Sequence, residues 1–119
     1  MSLNTLEEIA EYIVSDGKGI LAADESNPTC GKRFDSIGVE STETNRRDYR
    51  EMLFRAAGMQ DNIGGVILFD ETIRQSAEDG TPLVDLIKKQ GALPGIKVDK
   101  GLAPIDSSPE ETVTQGLDG

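Results

Sequence analysis

The chain has 119 residues, enough for one domain at most, and its 22 acidic against 12 basic side chains leave a net charge of −10. Having no His and one Cys, it excludes a Ser-His-Asp or Cys-His nucleophile, a His-ligated zinc, a cysteine-cluster metal site and an internal disulfide. The acidic balance repels phosphate backbones and aromatics make up only 4% of the chain, so no nucleic-acid partner is expected.

Taken in chain order, Leu6, Ile9, Ala10 and Ile13 recur at i, i+3, i+4 and i+7, with Asn4 and Glu7 placed as a capping box. This predicts an amphipathic helix ended by Gly17. Residues 19–23 are a short, non-alternating apolar run, which predicts a strand covered on both faces. The run stops at the polar cluster 24–28 with its helix-excluding Pro28, after which Thr29 is placed to cap a brief helix reaching Gly38. Residues 42–57 read as a helix with Tyr49, Met52, Leu53 and Ala56 on its apolar face and Glu43/Arg47 and Glu51/Arg55 paired along it. A second buried strand is expected at 63–69, ending in Asp70 and Glu71. Thr81 and Pro82 supply an N-cap and a first-turn proline for a helix that buries Leu83, Leu86 and Ile87 and closes on Lys88, Lys89 and Gly91. The third strand, 94–99, points Ile96 and Val98 one way and Lys97 and Asp99 the other. Residues 100–119 hold many turn formers and no clear period.

Strands alternating with helices argue for an α/β fold of parallel βα units. Three strands cannot close a parallel barrel, and a (β/α)8 barrel needs roughly 200 or more residues, so the pattern reads as a small open sheet or as a piece of something larger. The piece is favoured, because no stop signal marks the end. No stretch approaches 18 consecutive apolar residues, and residues 1–16 carry acidic side chains where a secretory signal has a basic start. No membrane partner is expected, and the setting reads as cytoplasmic, or as plastid where a transit peptide has been removed.

In parallel α/β folds functional residues gather at the carboxyl ends of strands, and each strand here ends in ionisable groups: Asp24 and Glu25, Asp70 and Glu71, Lys97 and Asp99. The plainer reading of any one end is a strand leaving the core into a charged loop. Lys97 stands apart, since an ammonium between Ile96 and Val98 costs several kcal/mol to bury unless a carboxylate or an anionic ligand meets it. Ser26, Thr29, Lys32 and Arg33 bring hydroxyls and cations to a helix start, the parts of a phosphate cradle; the alternative is a solvated turn with two surface charges. No Walker loop occurs, and the G-x-G-x-x-A match at 17–22 precedes a strand, which is the wrong context for dinucleotide binding. Cys30 reads as a small buried filler.

Residues 18–26 (KGILAADES), Lys32 with Arg33, 36–38 (SIG), 63–69 (IGGVILF), 95–101 (GIKVDKG) and 115–119 (QGLDG) resemble class I fructose-bisphosphate aldolases, in order and with similar spacing over nearly the whole chain. The stretch 24–33 is more similar to plant and bacterial members than to animal ones, which usually have Ser where this chain has Thr29. The resemblance implies a (β/α)8 barrel of which this chain supplies the N-terminal helix and the first three strands, so that 1–119 is the N-terminal part of a single, incomplete barrel domain. It implies a lyase that reversibly cleaves fructose 1,6-bisphosphate to dihydroxyacetone phosphate and glyceraldehyde 3-phosphate through a lysine Schiff base, with no metal and no other cofactor, in a homo-oligomer. By the same resemblance Asp24 orients the sugar hydroxyls and the covalent intermediate, Ser26, Thr29 and Lys97 hold a phosphate, and Arg33 and Arg46 help bind the bisphosphate. The Schiff-base lysine, its partner lysine and the acid/base glutamate of the family lie beyond the point matching Gly119. Hence the isolated chain is expected to be inactive, and Lys97 is not the nucleophile. The competing expectation is a small, non-catalytic, aldolase-like binding or interaction module.

Overall fold

Three parallel strands in the order β1-β2-β3 frame the chain: β1 is Gly19–Ala23, β2 is Ile63–Leu68 and β3 is Leu93–Ile96. The structure, a computed structural model, describes residues 2–118. Ala23, Leu68 and Ile96 lie in one row across the sheet, and Ala22, Ile67 and Gly95 lie in the row before it, facing the other way. Consecutive strands are neighbours joined through helices, which is the wall of a (β/α) barrel laid down in sequence order.

The helices are α1 (Leu6–Ile13), α2 (Asn27–Asp35), α3 (Glu43–Phe54), α4 (Met59–Asn62), α5 (Asp70–Ile73) and α6 (Leu83–Lys89). The core forms on one face of the sheet, where Ala23, Val66 and Leu68 meet Phe54 of α3, Met59 of α4 and Leu83, Leu86 and Ile87 of α6. Each large side chain in this cluster contributes about 1.5–3 kcal/mol by leaving water. Both faces were expected to be covered, and among the described residues only the helix side is closed. Ile20 is 54% exposed, and with Ile9, Ile13, Ile67 and Pro94 it lines an open apolar concavity. In a closed barrel this face is the interior, filled by side chains from facing strands, which three strands do not supply.

The termini of the elements differ from expectation for identifiable reasons. The capping box uses Thr5 and Glu8: the Glu8 N–H donates to Thr5 Oγ1 at 3.2 Å and the Thr5 N–H to Glu8 Oε2 at 3.0 Å. Helix α2 starts at Asn27 with Ser26 as its N-cap and Pro28 in its first turn, where a missing N–H removes no helical bond. Pro28 therefore opens the helix that it was expected to exclude, and Thr29 lies inside. Helix α3 ends at Phe54, its N-cap is Thr42, and its buried stripe is Arg50 and Phe54, while Met52 is 61% exposed. Glu51 and Arg55 pair as expected, but Arg47 pairs with Asp48 and not with Glu43. Thr81 lies one residue before the N-cap Pro82 of α6, and β3 stops at Ile96 instead of Asp99. Within 100–119 an unpredicted antiparallel hairpin forms from β4 (Leu102–Ile105) and β5 (Ser108–Thr114).

Candidate functional site

The carboxyl ends of the three strands gather the charges. Continuing the row Ala22–Ile67–Gly95 by two residues places Asp24 and Lys97 on the open face of the sheet, and the Lys97 N–H extends the ladder by donating to Leu68 O at 2.9 Å. Lys97 Nζ donates to Asp99 Oδ1 at 2.6 Å and to Asp24 Oδ2 at 3.4 Å. The hydrogen bond from Lys97, followed by that from the Gly101 N–H, holds the Asp99 carboxyl below its ordinary range, and Asp99 first and Asp24 second hold the Lys97 ammonium protonated. The lysine that sequence placed among apolar neighbours is thus met by two carboxylates at a solvent-reached mouth, its side chain 29% exposed.

The segment between β1 and α2 brings hydroxyls to the same end of the sheet. Ser26 Oγ and Thr29 Oγ1 lie 3.2 Å apart on the first turn of α2. Arg33, one helical turn further on, is exposed and hydrogen-bonds the Glu25 carboxylate, which raises the guanidinium's pKa. Lys32 is exposed, and Cys30 is a buried filler as expected.

Arg46 sits differently from the others. Its Nε and Nη2 form a two-pronged pair with Glu71 at 2.8 and 2.9 Å, and its Nη1 donates to Ser41 O at 2.7 Å and to Ser41 Oγ at 3.1 Å. The hydrogen bonds from Arg46 hold the Glu71 carboxyl below its ordinary range, against the opposing effect of burial. With its donors committed to Glu71 and Ser41, Arg46 joins α3 to α5 and does not present a free fork to the mouth.

Sequence reasoning missed Arg50. This side chain is 2% exposed, and its Nε donates to Ala23 O at 3.1 Å, its Nη2 to Glu25 O at 2.8 Å and its Nη1 to Cys30 Sγ at 3.1 Å. Its Nη2 also lies 3.2 Å from Glu25 Oε2, and the guanidinium sits 5.3 Å from the centre of the Tyr49 ring. The available signal was an arginine four residues before Phe54, on the stripe that α3 buries, which an apolar count passes over.

Together these groups make a mouth with an ammonium, two hydroxyls and an exposed guanidinium beside carboxylates, which suits a ligand bearing both anionic groups and hydroxyls. Among the described residues no group of His, Cys, Asp and Glu is placed to hold a metal ion, and no helix is long and apolar enough to cross a membrane.

Comparison with known proteins meets this geometry from a second direction. The family model for fructose-bisphosphate aldolase class-I matches residues 5–119. Fructose-bisphosphate aldolase of Drosophila melanogaster is 59% identical over 95% of this chain and 32% of its own length. Fructose-bisphosphate aldolase 7, cytosolic, of Arabidopsis thaliana is 55% identical over 95% of this chain and 32% of its own. The solved structure of fructose-bisphosphate aldolase from Plasmodium falciparum, in complex with TRAP and a small-molecule inhibitor, superposes with a TM-score of 0.86 at 52% identity, covering 93% of this chain and 32% of that one. The chain spans about a third of the length of the curated relatives it matches. Three parallel strands joined through helices in barrel order, with a lysine-carboxylate mouth at the strand ends and a match from residue 5 onward, place the chain in the class I fructose-bisphosphate aldolase family.

Proposed function

We propose that this chain contributes the N-terminal helix, the first three strands and part of the substrate mouth to an aldolase that reversibly cleaves fructose 1,6-bisphosphate to dihydroxyacetone phosphate and glyceraldehyde 3-phosphate. The carrying observation is the pairing of Lys97 with Asp24 across the ends of β3 and β1, on the open face of the sheet. A phosphate arriving at the mouth competes with Asp24 and Asp99 for the Lys97 ammonium, and the Ser26 and Thr29 hydroxyls add donors beside the start of α2. Arg33 reaches the second anionic end of the substrate by leaving Glu25. Once Lys97 turns to phosphate, the Asp24 carboxylate is released to accept from the sugar hydroxyls and so to align the carbon–carbon bond that breaks.

The nucleophilic lysine belongs to the remainder of the barrel, where its iminium takes up the electron pair of that bond. Arg46, paired with Glu71 between α3 and α5, helps bind the bisphosphate through its positive charge at the mouth. Residues 1–119 form the N-terminal part of a single barrel domain, acting in the cytoplasm in a homo-oligomer.

The test is a complete barrel made by fusing residues 1–119 to the remaining two thirds of the Drosophila melanogaster relative. The fusion is expected to cleave fructose 1,6-bisphosphate, and borohydride is expected to trap dihydroxyacetone phosphate on a lysine outside residues 1–119. A folded fusion without cleavage, or an adduct on Lys97, contradicts the proposal.

A further inference from the structure

We infer that Arg50 is the positioning residue of the mouth: one buried guanidinium fixes the carbonyls of Ala23 and Glu25, the residues on either side of Asp24, and, through the Glu25 carboxylate, the guanidinium of Arg33. The inference rests on the functional reading above. Arg50 Nε holds Ala23 O at 3.1 Å and Nη2 holds Glu25 O at 2.8 Å, so the carbonyls on either side of Asp24 are tied to a single rigid fork. The same Nη2 lies 3.2 Å from Glu25 Oε2, while Glu25 Oε1 accepts from Arg33. Asp24 and Arg33 are therefore both placed from one point on α3.

The fork is itself held on three sides. Arg50 is 2% exposed on a helix interior position, Tyr49 covers its face, and Cys30 Sγ accepts from its third nitrogen at 3.1 Å. Leaving β1, the chain has no ladder partner to fix Asp24, because the ladder between β1 and β2 ends at Ala23 and Leu68. The arginine takes over where the sheet stops. A lysine at this position carries the charge but has no planar fork with which to span two carbonyls.

The complete barrel described above, with Arg50→Lys and Arg50→Met each made in the unsubstituted and the Asp24→Asn backgrounds, tests this. A displacement of order 1 Å at a reacting group costs about 100-fold in rate, so kcat is expected to fall about 10- to 100-fold in folded Arg50→Met and by a smaller factor in Arg50→Lys. If Arg50 works through Asp24, the loss shrinks to less than about 3-fold once Asp24 is already Asn, because the two changes act on one element. Arg50→Lys keeps the test available if Arg50→Met does not fold. A folded Arg50→Lys barrel with unchanged kcat, or the same loss in both backgrounds, overturns the inference. An inactive unsubstituted barrel instead overturns the functional reading, and the inference with it.

Discussion

Gly64→Ala is expected to detach α1 from the sheet. A Cβ at Gly64 would lie 2.0 Å from Ile13 O, 2.7 Å from Ile13 C and 3.0 Å from Ile13 Cα, all backbone atoms that no rotamer change can move. Restoring the 2.0 Å contact to an ordinary 3.4 Å means shifting the end of α1 by about 1.4 Å. Overpacking of this kind costs about 1–3 kcal/mol, and the shift also loosens Ile9 and Ile13, each half-buried against the strands and worth about 1 kcal/mol or more. A loss of about 3 kcal/mol is therefore expected in the complete barrel, measured by urea unfolding, together with faster hydrogen exchange in residues 6–13. Gly65→Ala meets only the Ile13 side chain, at 3.3 Å, and should cost less. Gly31→Ala, inside α2 with nothing nearer than Ser41 Cβ at 3.9 Å, should be neutral or stabilising by about 0.5–1 kcal/mol. Gly64→Ala as stable as Gly31→Ala would refute the close approach of α1 to β2.

The remaining predictions concern charge. In the complete barrel, Lys97→Met and Arg33→Ala should each raise the bisphosphate dissociation constant about 10- to 150-fold, as the loss of a charge-assisted hydrogen bond does, while Asp24→Asn should lower turnover more than affinity. Steady-state kinetics with unfolding curves as control decide this, and a Lys97→Met barrel that unfolds with affinity intact would make Lys97 a structural cation. Arg46 holds the Glu71 carboxyl below its ordinary value of 4.5, so the pair's stabilisation is fully present above that value and disappears as pH falls through the depressed one. The stability gap between the unsubstituted barrel and Glu71→Gln should therefore close on acidification below about pH 4.5, and a gap constant down to pH 3 contradicts it. Asp79, which accepts from the Thr81 N–H and from Arg55, should titrate at about 2 in a carboxyl NMR experiment; a midpoint near 3.8 is the opposing result.

The strands were legible because a continuous apolar run of five to seven residues, bounded by charge, is too short for a helix and too apolar for a loop: 19–23 and 63–69 became β1 and β2 within a residue. Helix α6 was equally plain, with Leu83, Leu86 and Ile87 all buried as the spacing requires. What escaped was polar. Arg50 is buried by hydrogen bonds to carbonyls that its own sequence neighbourhood does not show, and so the inward face of α3 was drawn around Met52 instead. The hairpin of 102–114 has mostly exposed, charged or small residues, and its pairing depends on the opposite strand more than on a hydrophobic period. In the mouth, the strand-end rule found Asp24 and Lys97, but their partners were not deducible. Only the fold shows that Arg33 rests on Glu25 and that Arg46 is committed to Glu71.

A structure of the complete barrel with fructose 1,6-bisphosphate bound tests the central claim most directly, because Lys97 begins on two carboxylates. The account predicts a phosphate oxygen within hydrogen-bond distance of Lys97 Nζ, hydroxyls of Ser26 and Thr29 turned to the same phosphate, and a sugar hydroxyl on Asp24. A bound sugar bisphosphate that leaves Lys97 on Asp99 and Asp24, with both phosphates held elsewhere, would contradict it.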